Sequence, residues 1–240
     1  MLGNKEKIVG IIGGMGPQAT VDLMQRIIRL TKALDDIDHI RCIVDNNPKI
    51  PSRIKAIIEK KGEDPGPCMA DMAKRLEAWG ADFLAIACNT AHYYYENVSR
   101  AVDIPVINMI DSVLDHIKQN YPDCPKIGVL ASPAIQITKL YEKKFNLFDI
   151  KIVYPDQKYQ ERLFNVIRDI KAGNTGLSVL ESYTDVCNHL KDKEIFYAVI
   201  ACTELSVLSA ETSLKTIDAA QVLAQKIIDI AKDNTPHNIR

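Results

Sequence analysis

Short β-branched runs alternate with longer amphipathic runs along this chain, and that alternation constrains the fold more than any other feature. Candidate strands fall at 7–12, 39–44, 82–87, 106–108, 126–130, 151–153 and 196–201. Helical patterns occupy 18–34, 67–79, 91–102, 112–119, 134–145, 156–172 and 177–190, and a last one covers 219–232. Strands this apolar have both faces covered, which predicts an α/β fold of mostly parallel sheets flanked by helices. Turn chemistry marks the joints. "GGMGPQAT" follows the first strand and "NNPKIPSR" the second, while "KAGNTG" ends a long helix with Gly173 and Asn174.

One echo divides the chain. "GADFLAIACNTAH" and "IFYAVIACTELSVL" each read as an apolar strand, then Ala-Cys, then a polar pair containing threonine, then a helix. The two motifs lie about half a chain apart, which predicts two similar lobes. Residues 1–109, joined by 216–240, form one lobe, and 110–215 form the other. Ligands of open α/β sheets bind at the carboxyl ends of the strands. Cys88 and Cys202 both fall there, so two facing lobes put them across one cleft.

Composition removes several alternatives. Lys and Arg number 30 against 31 Asp and Glu, a net charge of −1, so no global field is available to hold nucleic acid or an anionic membrane. No run approaches the roughly 18 apolar residues of a membrane helix, and "MLGNKEKIVGIIGG" is too briefly apolar for a signal peptide. The six cysteines, at 42, 68, 88, 124, 187 and 202, include no C-x-x-C pair, so the spacing is neither that of a zinc site nor a thioredoxin-type motif. Reduced thiols in the cytoplasm are the expectation. Cys42, Cys68, Cys124 and Cys187 read as structural.

Two facing thiols can invert a carbon centre. Each precedes an expected helix start, where the macrodipole lowers a thiol's pKa from about 8.5. A thiolate on one face of a bound carbon removes a proton while a thiol on the other face donates one, and no metal or cofactor enters that scheme. The carbanion needs oriented donors. The "GGMGP" turn, with Met15 and Gly16, offers backbone N–H groups, and Asn89, Thr90 and Thr203 add amide and hydroxyl groups.

In their order and spacing, "GIIGGMGPQAT", "NNPKIPSR", "ACNTAH", "IPVINMI", "IKAGN" and "ACTELS" resemble the cofactor-independent aspartate/glutamate racemase family, in its aspartate racemase branch. The resemblance runs from about Lys7 to Lys232. It implies two-domain homodimers that use no pyridoxal phosphate and take an acidic amino acid as substrate, with Cys88 and Cys202 as the paired bases. It also places Arg53 and Lys171 at the substrate; Asn46 and Glu204 are read beside them as supporting residues. An Arg fork suits a side-chain carboxylate, and Lys acts as a point charge. The sister glutamate racemases open with an aspartate-serine-glycine turn and carry Cys-Thr-His at the second cysteine; this chain has "GGMGP" and Glu204 instead. One turn departs from the branch pattern. Ser132–Gln136, in "ASPAIQIT", replaces a threonine-rich turn, with Pro133 removing an N–H and Ile135 standing in place of a hydroxyl.

Each residue also has a plainer reading. Lys171 near a helix C-terminus is favourable by macrodipole alone, and Arg53 could simply begin a helix. His92 reads as a helix-start or packing residue, and "HYYYE" as a half-buried helix face. Glu204 either matches a helix dipole or keeps Cys202 protonated as the proton donor. Two other functional readings stand beside the aspartate or glutamate racemase. One is a hydantoin racemase or maleate-isomerase-like enzyme with covalent cysteine chemistry. The other is a non-catalytic binder of acidic amino acids.

Overall fold

The computed structural model describes residues 6–208 and 212–232. The ends of the expected first lobe, 1–5 and 233–240, therefore lie outside the described residues. The first half runs β1 (Val9–Gly13), α1 (Pro17–Leu30), β2 (Cys42–Asn46), α2 (Arg53–Ile57), α3 (Pro65–Ala78), β3 (Phe83–Ile86), α4 (Tyr95–Ser99), β4 (Val106–Ile107) and α5 (Met109–Asn120). The second half runs β5 (Lys126–Leu130), α6 (Pro133–Thr138), α7 (Glu142–Phe145), β6 (Lys151–Val153), α8 (Gln157–Lys171), α9 (Leu177–Asp192), β7 (Tyr197–Ile200), β8 (Lys215–Asp218) and α10 (Ala219–Lys232).

The strands form two four-stranded sheets, ordered β2-β1-β3-β4 and β6-β5-β7-β8, and every pairing is parallel. The two orders are the same permutation. In the first sheet Val9 pairs with Cys42 on one side and Phe83 on the other; in the second Gly128 pairs with Val153 and Ala198. The third strand of each sheet, β3 or β7, leads into a thiol two residues beyond its end.

Strand alternation sorts the core into three apolar layers. Val9, Ile11, Phe83 and Ala85 point into a middle layer that they share with Ile127, Val129 and Val199 of the second sheet. Their neighbours Ile12, Leu84 and Ile86 face outward onto Met69, Met72 and Leu76 of α3. In the second sheet, Leu130 and Ala198 face outward onto α8 and α9 through Leu163, Val166, Val179 and Val186. The middle layer also holds α5 and α10, and α10 packs against both α1 and α5. That position explains the composition of α10, whose buried residues include Ala219, Leu223, Ala224, Ile227, Ile230 and Ala231, on more than one face.

Several expected elements differ. The pattern at 91–102 is a 3-10 turn over Thr90–Tyr94 followed by the short α4. The pattern at 134–145 breaks at Lys139, which takes a left-handed conformation (φ 53°) and separates α6 from α7. Strand β8 crosses the expected lobe boundary at 215/216 and pairs along its whole length with β7, so the chain leaves the second sheet at Asp218. Arg26 of α1 anchors that crossing. Buried, it bonds Asp22 at 2.6 Å, Asp218 at 2.9 Å and Gln221 at 3.0 Å.

Candidate active site

The carboxyl ends of the two sheets border a narrow cleft with about 30 Å³ of free volume. Cys88 enters it from the turn after β3 and Cys202 from the turn after β7. The thiols are 7% and 8% exposed respectively, so both are shielded from bulk water. Asn89, Thr90, Thr203 and Glu204 follow them into the cleft, and Met15 reaches it from the turn after β1. That turn depends on Gly14. Its φ is +94°, and a Cβ there would stand 2.2 Å from the Asn47 carbonyl group.

The Cys202 side is built around one carboxylate. The Cys202 thiol donates to Glu204 Oε2 at 3.1 Å, and Glu204 Oε1 lies 3.2 Å from Lys171 Nζ. Burial and the negative charge of Glu204 hold the Cys202 thiol well above its ordinary pKa. The lowering expected from a helix N-terminus is thus reversed at Cys202. No α-helix begins there, only a 3-10 turn over Leu205–Val207, and a buried carboxylate stands against the sulfur. Burial pulls the Lys171 ammonium down, but the Glu204 carboxylate pulls it up further, so its pKa is raised.

The Cys88 side is held by neutral groups. Met109 N–H donates to His92 Nε2 at 3.0 Å, so the proton sits on Nδ1, which donates to the Cys88 carbonyl at 2.8 Å. Burial lowers the His92 pKa and keeps this tautomer neutral. His92 therefore ties the thiol turn to the start of α5. Asn89 Oδ1 accepts from Tyr141 Oη at 2.7 Å, and the hydroxyls of Thr90 and Ser132 lie 3.2 Å apart.

Of the sequence candidates, Cys88, Cys202, Met15, Arg53 and Lys171 line this cleft, as do the four polar residues beside the thiols. Arg53 opens α2, and its Nη1 donates to the Pro51 carbonyl at 3.1 Å. Gly16 borders the cleft, with its Cβ direction 3.6 Å from Glu204 Oε1. Asn46 does not reach it. It ends β2 paired with Gly13, exposed, while its neighbour Asn47 packs under Gly14. The altered turn does not lack a hydroxyl either, because Ser132 supplies one to the cleft while Ile135 is buried in the middle layer. Pro133 stands at the first position of α6, where a missing N–H costs little.

Sequence reasoning missed Ile54, Phe164 and Ile167, which form an apolar wall. A signal existed in the helical spacing. Phe164, Ile167 and Lys171 recur three and four positions apart, so one face of α8 carries the last two apolar residues and ends in the ammonium. Among the described residues no three or more His, Cys, Asp or Glu side chains gather as a metal site. No described helix is long and apolar enough to cross a membrane, and all six cysteines are free.

Paired parallel sheets with a thiol-lined cleft between them define a two-lobed α/β isomerase architecture, and the comparisons agree. Residues 12–227 match the model of the Asp/Glu/hydantoin racemase family. The structure of the Picrophilus torridus aspartate racemase is 32% identical, covers 94% of each chain and superposes with a TM-score of 0.83. A putative Asp/Glu racemase from Yersinia pestis, 22% identical, shares the fold with a TM-score of 0.80 over 95% of this chain and all of that one. The broad specificity amino-acid racemase RacX of Bacillus subtilis is 25% identical over 231 residues, 92% of this chain and 96% of its own length. The chain belongs to the Asp/Glu/hydantoin racemase family, and it is an enzyme of the racemase type.

Proposed function

We propose that the protein interconverts L- and D-aspartate by a two-base mechanism in which Cys88 and Cys202 work from opposite faces of Cα. The observation that carries this reading is the opening of both buried thiols, from matching positions in two sheets, into one cleft. In one direction the Cys88 thiolate takes the α-proton, leaving a carbanion delocalised into the α-carboxylate. The Cys202 thiol then delivers its proton to the other face, and the configuration is inverted. Cys88 is left as thiol and Cys202 as thiolate, and the reverse reaction exchanges the roles. Glu204 keeps Cys202 protonated as the donor, and Lys171 compensates the charge once the proton has left. No cofactor takes part in this scheme.

Charge supports an acidic substrate. Lys171 is paired with Glu204, which leaves the Arg53 guanidinium as the cleft cation that meets a side-chain carboxylate. The wall of Ile54, Phe164 and Ile167 favours a second substrate range, neutral amino acids, at lower efficiency. The two lobes, one built on β1–β4 and the other on β5–β8, close on the substrate to exclude water. The homodimer implied by the family resemblance and a reducing cytoplasmic setting belong to the same reading; light scattering tests the dimer. The deciding experiment incubates the protein with L-aspartate in deuterated water without pyridoxal phosphate, followed by chiral separation and mass analysis. D-aspartate carrying deuterium at Cα is expected. Aspartate that neither exchanges nor inverts, while other amino acids do, would transfer the activity to the neutral range.

A further inference from the structure

The mechanism leaves one buried pair unexplained. Asn89 is 2% exposed and lines the cleft, yet its Nδ2 has no hydrogen-bond partner among the described residues. A buried amide N–H without an acceptor is costly, and native structures leave few of them. Its other atom, Oδ1, is already used, accepting from Tyr141 Oη at 2.7 Å. Tyr141 lies fifty-two positions along the chain, behind the left-handed break at Lys139 that separates α6 from α7. Its ring is wholly buried and packs against Phe145 with centroids 5.5 Å apart. Burial pushes the phenol far above its ordinary ionisation range, so it stays an O–H donor at every working pH.

We propose that Tyr141 is a positioning residue for racemisation: its phenol holds the Asn89 amide in the orientation that points Nδ2–H into the cleft, where it binds a substrate carboxylate. The inference rests on the racemase reading above and deepens it by saying what orients that donor. An amide freed of Tyr141 can turn over and present Oδ1, an acceptor, to an anion. Asn89 hangs from the first sheet and Tyr141 follows β5 of the second. The donor is therefore correctly set only when the two halves are docked.

The test is a double-mutant cycle on aspartate racemisation with wild type, Tyr141→Phe, Asn89→Ala and the double variant, each checked for its thermal transition. The phenol acts only through the amide, so Y141F is expected to lower kcat/KM about tenfold when Asn89 is present and less than about twofold in the N89A background. Equal losses in both backgrounds, or none in either, would reduce Tyr141 to a packing residue. Asn89→Asp gives a second test that does not depend on Y141F folding. It keeps the acceptor for Tyr141 but turns an oxygen to the cleft, so its kcat/KM should fall below that of N89A. An N89D protein as active as wild type would overturn the assigned orientation. Wild type that exchanges the α-proton of no amino acid would remove the racemase reading and this proposal with it. Wild-type turnover with additive losses would remove only the role of Tyr141.

Discussion

The turn after β3 and the turn after β7 occupy the same place in two sheets of the same strand order, yet their surroundings differ in charge. Cys88 is flanked by neutral groups, with His92 on its carbonyl and Asn89 and Thr90 bonded to Tyr141 and Ser132. Cys202 has a carboxylate on its sulfur and an ammonium behind the carboxylate. The shared offset from the strand end comes from the backbone; the difference comes from two or three side chains. Both turns are also pinned to the helix that follows the adjacent edge strand. His92 accepts from Met109 N–H at the start of α5, and Ser206 Oγ donates to Asp218 at the start of α10. Symmetry of scaffold thus places the sulfurs, and asymmetry of lining divides their work.

The hardest blow to this comparison is removal of one sulfur at a time. Cys88→Ala and Cys202→Ala should each lower racemisation by at least about a thousandfold. Each variant should retain α-proton exchange for only one enantiomer, and opposite ones. Exchange of both enantiomers by either variant would end the two-face assignment. The Arg26 anchor comes next, because it serves the Cys202 turn alone, through Asp218 and the Ser206 carbonyl. Arg26→Met leaves two carboxylates with a lost partner and should cost about 2–3 kcal/mol, discounted from a fully buried pair for the partial exposure of both aspartates. Urea unfolding measures that loss, and a midpoint unmoved by the change would show that the anchor carries no stability.

Arg53→Ala should lower kcat/KM for aspartate about tenfold or more while leaving a neutral amino acid nearly unaffected. Equal losses would deny Arg53 a side-chain role. Because the two enantiomers are isoenergetic, this loss must be equal in both directions. Glu204→Gln removes the charge that keeps Cys202 protonated. Alkylation of Cys202 by iodoacetamide near neutral pH should then speed several-fold, while Cys88 changes little. An unchanged Cys202 rate would show that burial alone sets its protonation.

The smallest effect is the pH dependence of the His92 pin. Its folded-state pKa is depressed below 6.5, so the unfolded chain binds the proton more readily. Stability from this group is complete above 6.5 and drains as pH falls from there toward the folded-state value. His92→Gln should flatten that part of a pH–stability curve; an unaltered slope would assign it to other groups.

Elements with strong periodicity were legible in the sequence. The strands at 126–130 and 151–153 and the helix at 219–232 stand where the pattern put them. Strand β8 was not legible, because three of its four residues are not buried and only Ile217 carries an apolar signal. The five-residue α2 is shorter than any periodicity can register, so only the plainer reading of Arg53, as a residue beginning a helix, pointed to it. No glycine or proline announced the left-handed Lys139, which stands two residues before the Tyr141 that bonds Asn89. The thiols and their polar followers could be read because chemistry-bearing residues recur at strand ends. Glu204, two residues beyond Cys202, was legible as a tuning charge, but its pairing with Lys171 and that of Asn89 with Tyr141 were not, because those residues meet only through the tertiary fold.

The seat of α10 between α1 and α5 has a consequence for synthesis. A ribosome delivers β1, α1 and α5 long before the helix that covers them, and the whole second sheet emerges in between. Until α10 arrives, the apolar faces around Leu23, Ile27, Val113 and Ile117 lack their cover. The first lobe is therefore completed only after the strands of the second sheet have been made, and its apolar faces stay open for that interval. The second lobe, whose sheet is contiguous from β5 to β8, carries no such delay.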